Sequence, residues 1–154
     1  MDMQALWLFL HVASVAVWVG GMFFAYVCLR PVAATQLPPP LRLALWAGVF
    51  ERFFPFVWAA VALLLASGFT RLFSVGFAAA PRHWHLMMGV GVVMMLIFMH
   101  VFFAPYARLK RAVAAQDWPA GGAALAQIRK LVGLNLALGG ANIGVATVGR
   151  WFAG

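Results

Sequence analysis

Acid is scarce in this chain: its 154 residues include three Asp or Glu, and charged residues of either sign make up 9% of the total. Soluble domains carry about 25%, so water is not the main solvent for this protein. A single Cys is present, which excludes an intramolecular disulfide and leaves the redox compartment unread. There is no phosphate-binding glycine loop, no Ser/His/Asp set and no CxxC pair, so the usual signatures of nucleotide binding, nucleophilic hydrolysis and dithiol exchange are missing. A cleavable leader is not expected either. The N-terminus lacks a positive n-region, and its apolar stretch from Ala5 to Leu29 is longer than a signal-peptide core of about 7 to 15 residues. It is expected to be a retained transmembrane helix.

Apolar residues dominate instead, at 66% with a mean hydropathy of +0.96. Four apolar spans follow, at about 5–29, 53–70, 84–107 and 131–151, each near the 20 or so residues that cross a roughly 30 Å hydrocarbon core. Pro31 and the run Pro38-Pro39-Pro40 mark the first connection, since proline cannot propagate a helix. Pro55 lies where it would kink span two, and span four is expected to begin as a helix near Ala123. Backbone groups in lipid must be satisfied internally, which leaves helices rather than open strands. The expected fold is therefore all-α, an integral membrane four-helix bundle forming a single domain over 1–154.

The basic residues set the orientation. Arg30, Arg42, Arg52, Arg108, Lys110, Arg111, Arg129 and Lys130 lie at one end of the bundle, and Arg71, Arg82 and Arg150 at the other. Positive residues accumulate on the cytoplasmic side, so both termini should face outward, toward the periplasm, in a bacterial inner membrane. The net charge of +8 belongs to these connections and to anionic headgroups. The expected partner is the bilayer, with a redox partner, a quinone or a second copy of the chain as further candidates, and no nucleic acid.

Residues 84–103, WHLMMGVGVVMMLIFMHVFF, thread His85, Met87, Met88, Met94, Met95, Met99 and His100 through one span. Ionisable groups at membrane depth mark functional sites, and imidazole and thioether are ligands for soft metals and haem iron. His11 lies a short way into span one with Trp18 and Met22 on nearly the same face, and His83 and His85 open span three at the same end of the bundle. His11 and His85 are thus at comparable depth. His100 falls about 22 Å further along the helix, where Met22 and Cys28 are weak partners for a second site. Met88, Met95 and Met99 share one face, Met87 and Met94 another.

The polar remainder reads structurally. Glu51 is expected to pair with Arg129 or Lys130. Asn135 and Asn142, seven apart, are expected to bond across helices, and Gly20-Gly21, Gly133 and the Gly140-x-x-x-Gly144 pattern to permit close helix approach. Phe53, Phe54, Phe56, Trp58 and Trp84 are assigned to interface belts and bundle filling.

Leu10-His11-Val12-Ala13 and the following Ala16-Val17-Trp18-Val19-Gly20-Gly21-Met22-Phe23 resemble the first helix of the copper resistance D (CopD) family and the related HemJ-type proteins. Trp84, His85 and His100 match HemJ proteins in kind, while Met87 stands where those proteins carry Lys. The resemblance implies an inner-membrane four-helix bundle whose histidines bind haem b or copper. The leading expectation is a b-type haem protein for electron transfer or a membrane redox reaction. Its axial ligands would be His11 and His85, with His83 and His100 as further candidates and Arg71, Arg82 and Arg150 available for propionates. The alternative is a copper-binding or copper-translocating protein using His11, His85 and the stripe Met88, Met95 and Met99. A third is a cofactor-free accessory subunit.

Overall fold

A computed structural model describes residues 2–152. Four helices account for nearly all of them: α1 (Met3–Gln36), α2 (Pro39–Val75), α3 (Arg82–Ala114) and α4 (Trp118–Val148), each long and apolar enough to cross a membrane. A short 3₁₀ turn, Phe77–Ala79, joins α2 to α3, and another, Gly149–Phe152, follows α4. The connections are short, so sequential helices run antiparallel. The start of α1, the end of α2, the start of α3 and the end of α4 gather at one end of the bundle, called here the terminal end. The other, basic end carries Arg30, Arg42 and the Arg108–Arg111 segment.

The helices are longer than the apolar spans, because their ends are capped by residues that hydropathy does not weigh. Asp2 accepts a hydrogen bond from the Gln4 N–H and starts α1. The Asp117 carboxylate accepts from the Ala120 N–H, so α4 begins at Trp118 rather than near Ala123, with Pro119 tolerated in its first turn. Pro31 does not end α1. It enters at the start of an α-helical segment, Arg30–Gln36, immediately after a π-helical stretch, Phe24–Leu29. The missing N–H of proline is easily absorbed where the hydrogen-bond ladder is already changing step. Pro55 sits within the continuous α2.

α3 breaks once. Ala104, with φ −113° and ψ −85°, is the residue before Pro105, and proline drives its predecessor out of the helical region. The helix resumes over Pro105–Ala114, carrying the basic run along the bundle's end instead of out into a loop. Leu109 there is fully buried, Lys110 stands over the Tyr106 ring at 4.7 Å, and Arg108 donates to the Gln127 carbonyl oxygen of α4.

α1 packs mainly on α2, and the two halves of α3 pack mainly on α4. An aromatic seam ties α2 to α3: Phe50 stacks on Phe54 at 5.0 Å, Phe54 meets Tyr106 at 4.8 Å edge-on, and Trp58 meets Phe98 at 5.1 Å. Trp18 reaches the same seam from α1, 6.2 Å from Phe98. Such contacts each contribute about 0.5–1.5 kcal/mol beyond burial. Phe54 is thus core, whereas Phe56 is 62% exposed and faces outward.

The two asparagines bond across helices as their spacing predicts. Asn135 Nδ2 donates to the Met94 carbonyl and Asn142 Nδ2 to the Met87 carbonyl, both at 3.2 Å. This register turns Gly139 inward, where an added Cβ would lie 3.0 Å from Val19 and 3.2 Å from the Met94 methyl. Gly133 likewise meets the Tyr26 ring, and Gly21 sits against the Phe53 ring. Gly20, Gly140 and Gly144 face open space, so the Gly140-x-x-x-Gly144 pattern is not a contact surface within the chain. The asparagines fix α4's rotation, and that rotation points the pattern away. Gly21→Ala should therefore destabilise the bundle by about 1–3 kcal/mol through overpacking, whereas Gly20→Ala one residue away should be neutral. Thermal unfolding of the two variants in detergent compares them directly.

Candidate functional site

The terminal end holds His11 on α1, His83 and His85 on α3, and Ser67 on α2. His11 is the most constrained of the three histidines. Its Nδ1 lies 2.8 Å from Ser67 Oγ, on a side chain with no exposed surface. Ser67 Oγ also lies 2.6 Å from the Leu63 carbonyl, one turn earlier on its own helix. A hydroxyl has one proton, and at that distance the carbonyl must receive it. Ser67 can then only accept from His11, so the imidazole carries its proton on Nδ1 and keeps a lone pair on Nε2. This is the arrangement that orients a metal-ligating histidine: one ring nitrogen donates to a fixed acceptor and the other is free to bind.

His85 is placed differently. Its Nδ1 lies 3.3 Å from the Pro81 carbonyl and its Nε2 3.1 Å from the Phe77 carbonyl, with the Phe77 ring edge-on at 4.7 Å. Both nitrogens face acceptors, so a ligand role for His85 requires the ring to leave these carbonyls. His83 has a buried Nδ1 with no hydrogen-bond partner. His100 is exposed near the break in α3. Among the described residues, no group of three or more His, Cys, Asp or Glu side chains forms a metal cluster.

The arginines named for propionates are occupied or outward. Arg71 stands 5.4 Å over the Trp84 ring, bridging α2 and α3, and Arg82 is exposed at the start of α3. The Arg150 side chain lies outside the described part. Arg30, Arg42 and Arg129 line one cavity at the basic end, and neither it nor the apolar cavity beside it is lined by a histidine.

The thioethers divide by burial. Met22 and Met94 are 4% and 3% exposed, whereas Met88 and Met95 are half-buried and Met99 is 40% exposed. Met22 follows His11 and Trp18 down one face of α1, and Trp18 is itself buried. The interior therefore presents a tautomer-fixed imidazole near the terminal end and two buried thioethers deeper in. Sequence reasoning found His11, Trp18 and Met22 as one face but missed Ser67. A serine in an apolar helix is a weak signal, because it can satisfy itself on the preceding turn.

Glu51 is exposed at the basic end, and among the described residues no ion pair joins it to Arg129 or Lys130. Arg129 turns instead toward a cavity shared with Arg30 and Arg42.

The His11 arrangement has a direct spectroscopic signature. In protein labelled with ¹⁵N-histidine, at a pH where the ring is neutral, His11 should show a protonated Nδ1 and an unprotonated Nε2. Ser67→Ala should erase that preference, leaving the mixed tautomers of an unrestrained imidazole.

The family model for CopD, copper resistance protein D, matches residues 47–148, about two thirds of the chain. The match takes in Ser67, His83, His85, His100 and the methionines of α3, and begins after His11. No curated protein and no solved structure matches the chain.

Proposed function

The chain belongs to the copper resistance protein D family, and from that premise we propose that it binds copper within the membrane and moves it across. His11 receives the ion at the terminal end, and the buried thioethers of Met22 and Met94 provide soft donors deeper in the bundle. The observation that carries this is the His11–Ser67 pair. That pair satisfies the Nδ1 proton and leaves the Nε2 lone pair unused, which is what a metal-ligating imidazole requires. Thioether and imidazole suit Cu(I), and a neutral donor set needs no carboxylate, in keeping with an interior free of Asp and Glu. Ion pairs are expensive to bury in lipid, so neutral soft ligands are the economical choice there.

The distribution of positive residues orients this path. With eight Lys and Arg at the basic end and three at the other, the terminal end faces the periplasm and the basic end the cytoplasm. The protein is then a multi-pass protein of the bacterial inner membrane with His11 on the outer side. A reporter fused after residue 154 should be active when it is periplasmic alkaline phosphatase and dark when it is green fluorescent protein. The opposite pattern overturns the orientation.

Copper binding itself is tested with detergent-purified protein under reducing conditions, by competition against a chromophoric Cu(I) chelator. His11→Ala should abolish the tight site, and Ser67→Ala should weaken it by about 10–100-fold, as loss of an outer-shell partner does. Met22 lies about 16 Å along α1 from His11, so Met22→Leu with Met94→Leu should leave that site in place and slow copper transfer into vesicles more than the triple change Met88→Leu, Met95→Leu, Met99→Leu. Unaltered binding in His11→Ala, or a larger loss of transfer from the triple variant, contradicts the assignment. The same variants reconstituted in vesicles report transport as copper appearing inside.

A further inference from the structure

The basic end contains a cavity that copper chemistry does not use. It has a volume of about 250 Å³ and is lined by Arg30 of α1, Arg42 of α2 and Arg129 of α4, with Trp46 and Trp118 among its walls. Three arginine side chains from three helices thus line one space. The chain's acids are Asp2, Glu51 and Asp117, and none of them lines it. Arg30 stacks over the Tyr26 ring at 4.4 Å, and Arg42 Nη1 donates to the Ala34 carbonyl at 3.4 Å. These contacts position the two groups and leave most of their N–H donors unused. Like charges gathered without a counter-ion repel one another, so the arrangement favours an anion between them. The planar forks of arginine fit the oxygens of a phosphate.

A second cavity, of about 230 Å³, lies deeper and is almost wholly apolar. Ala25, Phe50 and Val132 line both, so the two are neighbours with those side chains between them. The π-helical stretch Phe24–Leu29 borders both as well, through Phe24, Ala25 and Leu29 on the apolar side and Ala25 and Tyr26 on the basic side. Such widened turns are common at functional sites. An arginine-lined mouth at the level where the helices leave the hydrocarbon thus stands next to an apolar shaft.

We propose that this pair of cavities holds an acidic phospholipid, with its phosphate between Arg30, Arg42 and Arg129 and an acyl chain in the apolar shaft. A free phosphate would fill the mouth and leave the shaft empty, and a neutral or zwitterionic lipid would leave the arginines without net countercharge. Tryptophans at the mouth suit the headgroup level, where amphipathic rings are favoured. The lipid would bridge α1, α2 and α4 at the end opposite His11.

Native mass spectrometry of the full chain in detergent tests this, with dioleoyl phosphatidylglycerol and dioleoyl phosphatidylcholine titrated in parallel. The acyl chains are identical, so any difference belongs to the headgroup. The wild type should bind phosphatidylglycerol at least about tenfold more tightly, and each arginine removed should cost about fivefold. Arg30→Gln with Arg129→Gln should therefore erase the preference, while Arg30→Lys with Arg129→Lys should keep part of it. Arg71→Gln, at the other end of the bundle, should leave it intact. Equal binding of the two lipids overturns the proposal, as does a folded Arg30→Gln, Arg129→Gln protein that keeps the preference. Displacement of phosphatidylglycerol by millimolar inorganic phosphate also overturns it and identifies a free anion as the ligand. Should the glutamine variants fail to fold, lipid extracted from purified wild type decides: phosphatidylglycerol or cardiolipin enriched over the bulk membrane supports the site, and bulk composition refutes it.

Discussion

A hydrogen-bonding group inside a lipid-embedded bundle has no water to turn to, so it must find its partner on its own helix or on a neighbour. That constraint organises this molecule. Asn135 and Asn142 satisfy their amide donors on carbonyls of α3, which sets the rotation of α4, and that rotation in turn decides which glycines meet a neighbour. His11 meets the constraint through Ser67, and Ser67 through Leu63. The two oxygens left without partners, Asn135 Oδ1 and Asn142 Oδ1, lie on the same α4 face. Membrane hydrogen bonds are individually modest, averaging about 0.6 kcal/mol, but here they act on direction more than on energy. They choose one helix rotation among several that dispersion forces would accept.

The bundle is chemically polarised along its axis. The terminal end holds three histidines and few charges, and the basic end holds most of the arginines and lysines. Apolar and aromatic packing separates them, from Trp18 and Met22 on α1 to Phe54 and Phe98 on α2 and α3. Neutral soft donors thus stand apart from fixed positive charge. A copper ion at His11 does not meet the arginine cavity directly, and an anion held by the arginines does not reach His11. His11 and the arginines can serve different partners, a metal and a lipid headgroup, and the two sites approach one another only at Met22, which lines the apolar cavity.

The number of helices, their approximate spans and the grouping of positive charge were legible in the sequence because hydropathy reports them. Helix rotation was not. A helix that is apolar all round does not show which side faces lipid, so the expected ligand stripe held Met99, which is 40% exposed, and left out Met94, which is 3% exposed. The asparagine pair was the exception, since polar groups seven apart must share an inward face. Ser67 was invisible because its partner is 56 residues away and its own turn could have satisfied it. The continuation of α1 through Pro31 was also hidden. Proline is read as a stop unless a π-helical step precedes it, and nothing in the local sequence announces that step. The resemblance to CopD proteins rested on the first and third spans, while the family match runs over residues 47–148, from α2 to α4, so the two rest on partly different residues. The copper alternative gains from that match, and the haem reading does not.

The central claim is that His11 is a copper ligand rather than a haem ligand or a packing residue. A visible spectrum and a metal analysis on one sample test it most directly, using protein purified from cells replete in both haem and copper. About one copper per chain with no Soret band, lost in His11→Ala, is the result expected. A b-type Soret and α band that disappears in His11→Ala would contradict the claim, and a metal-free, colourless protein would do so equally.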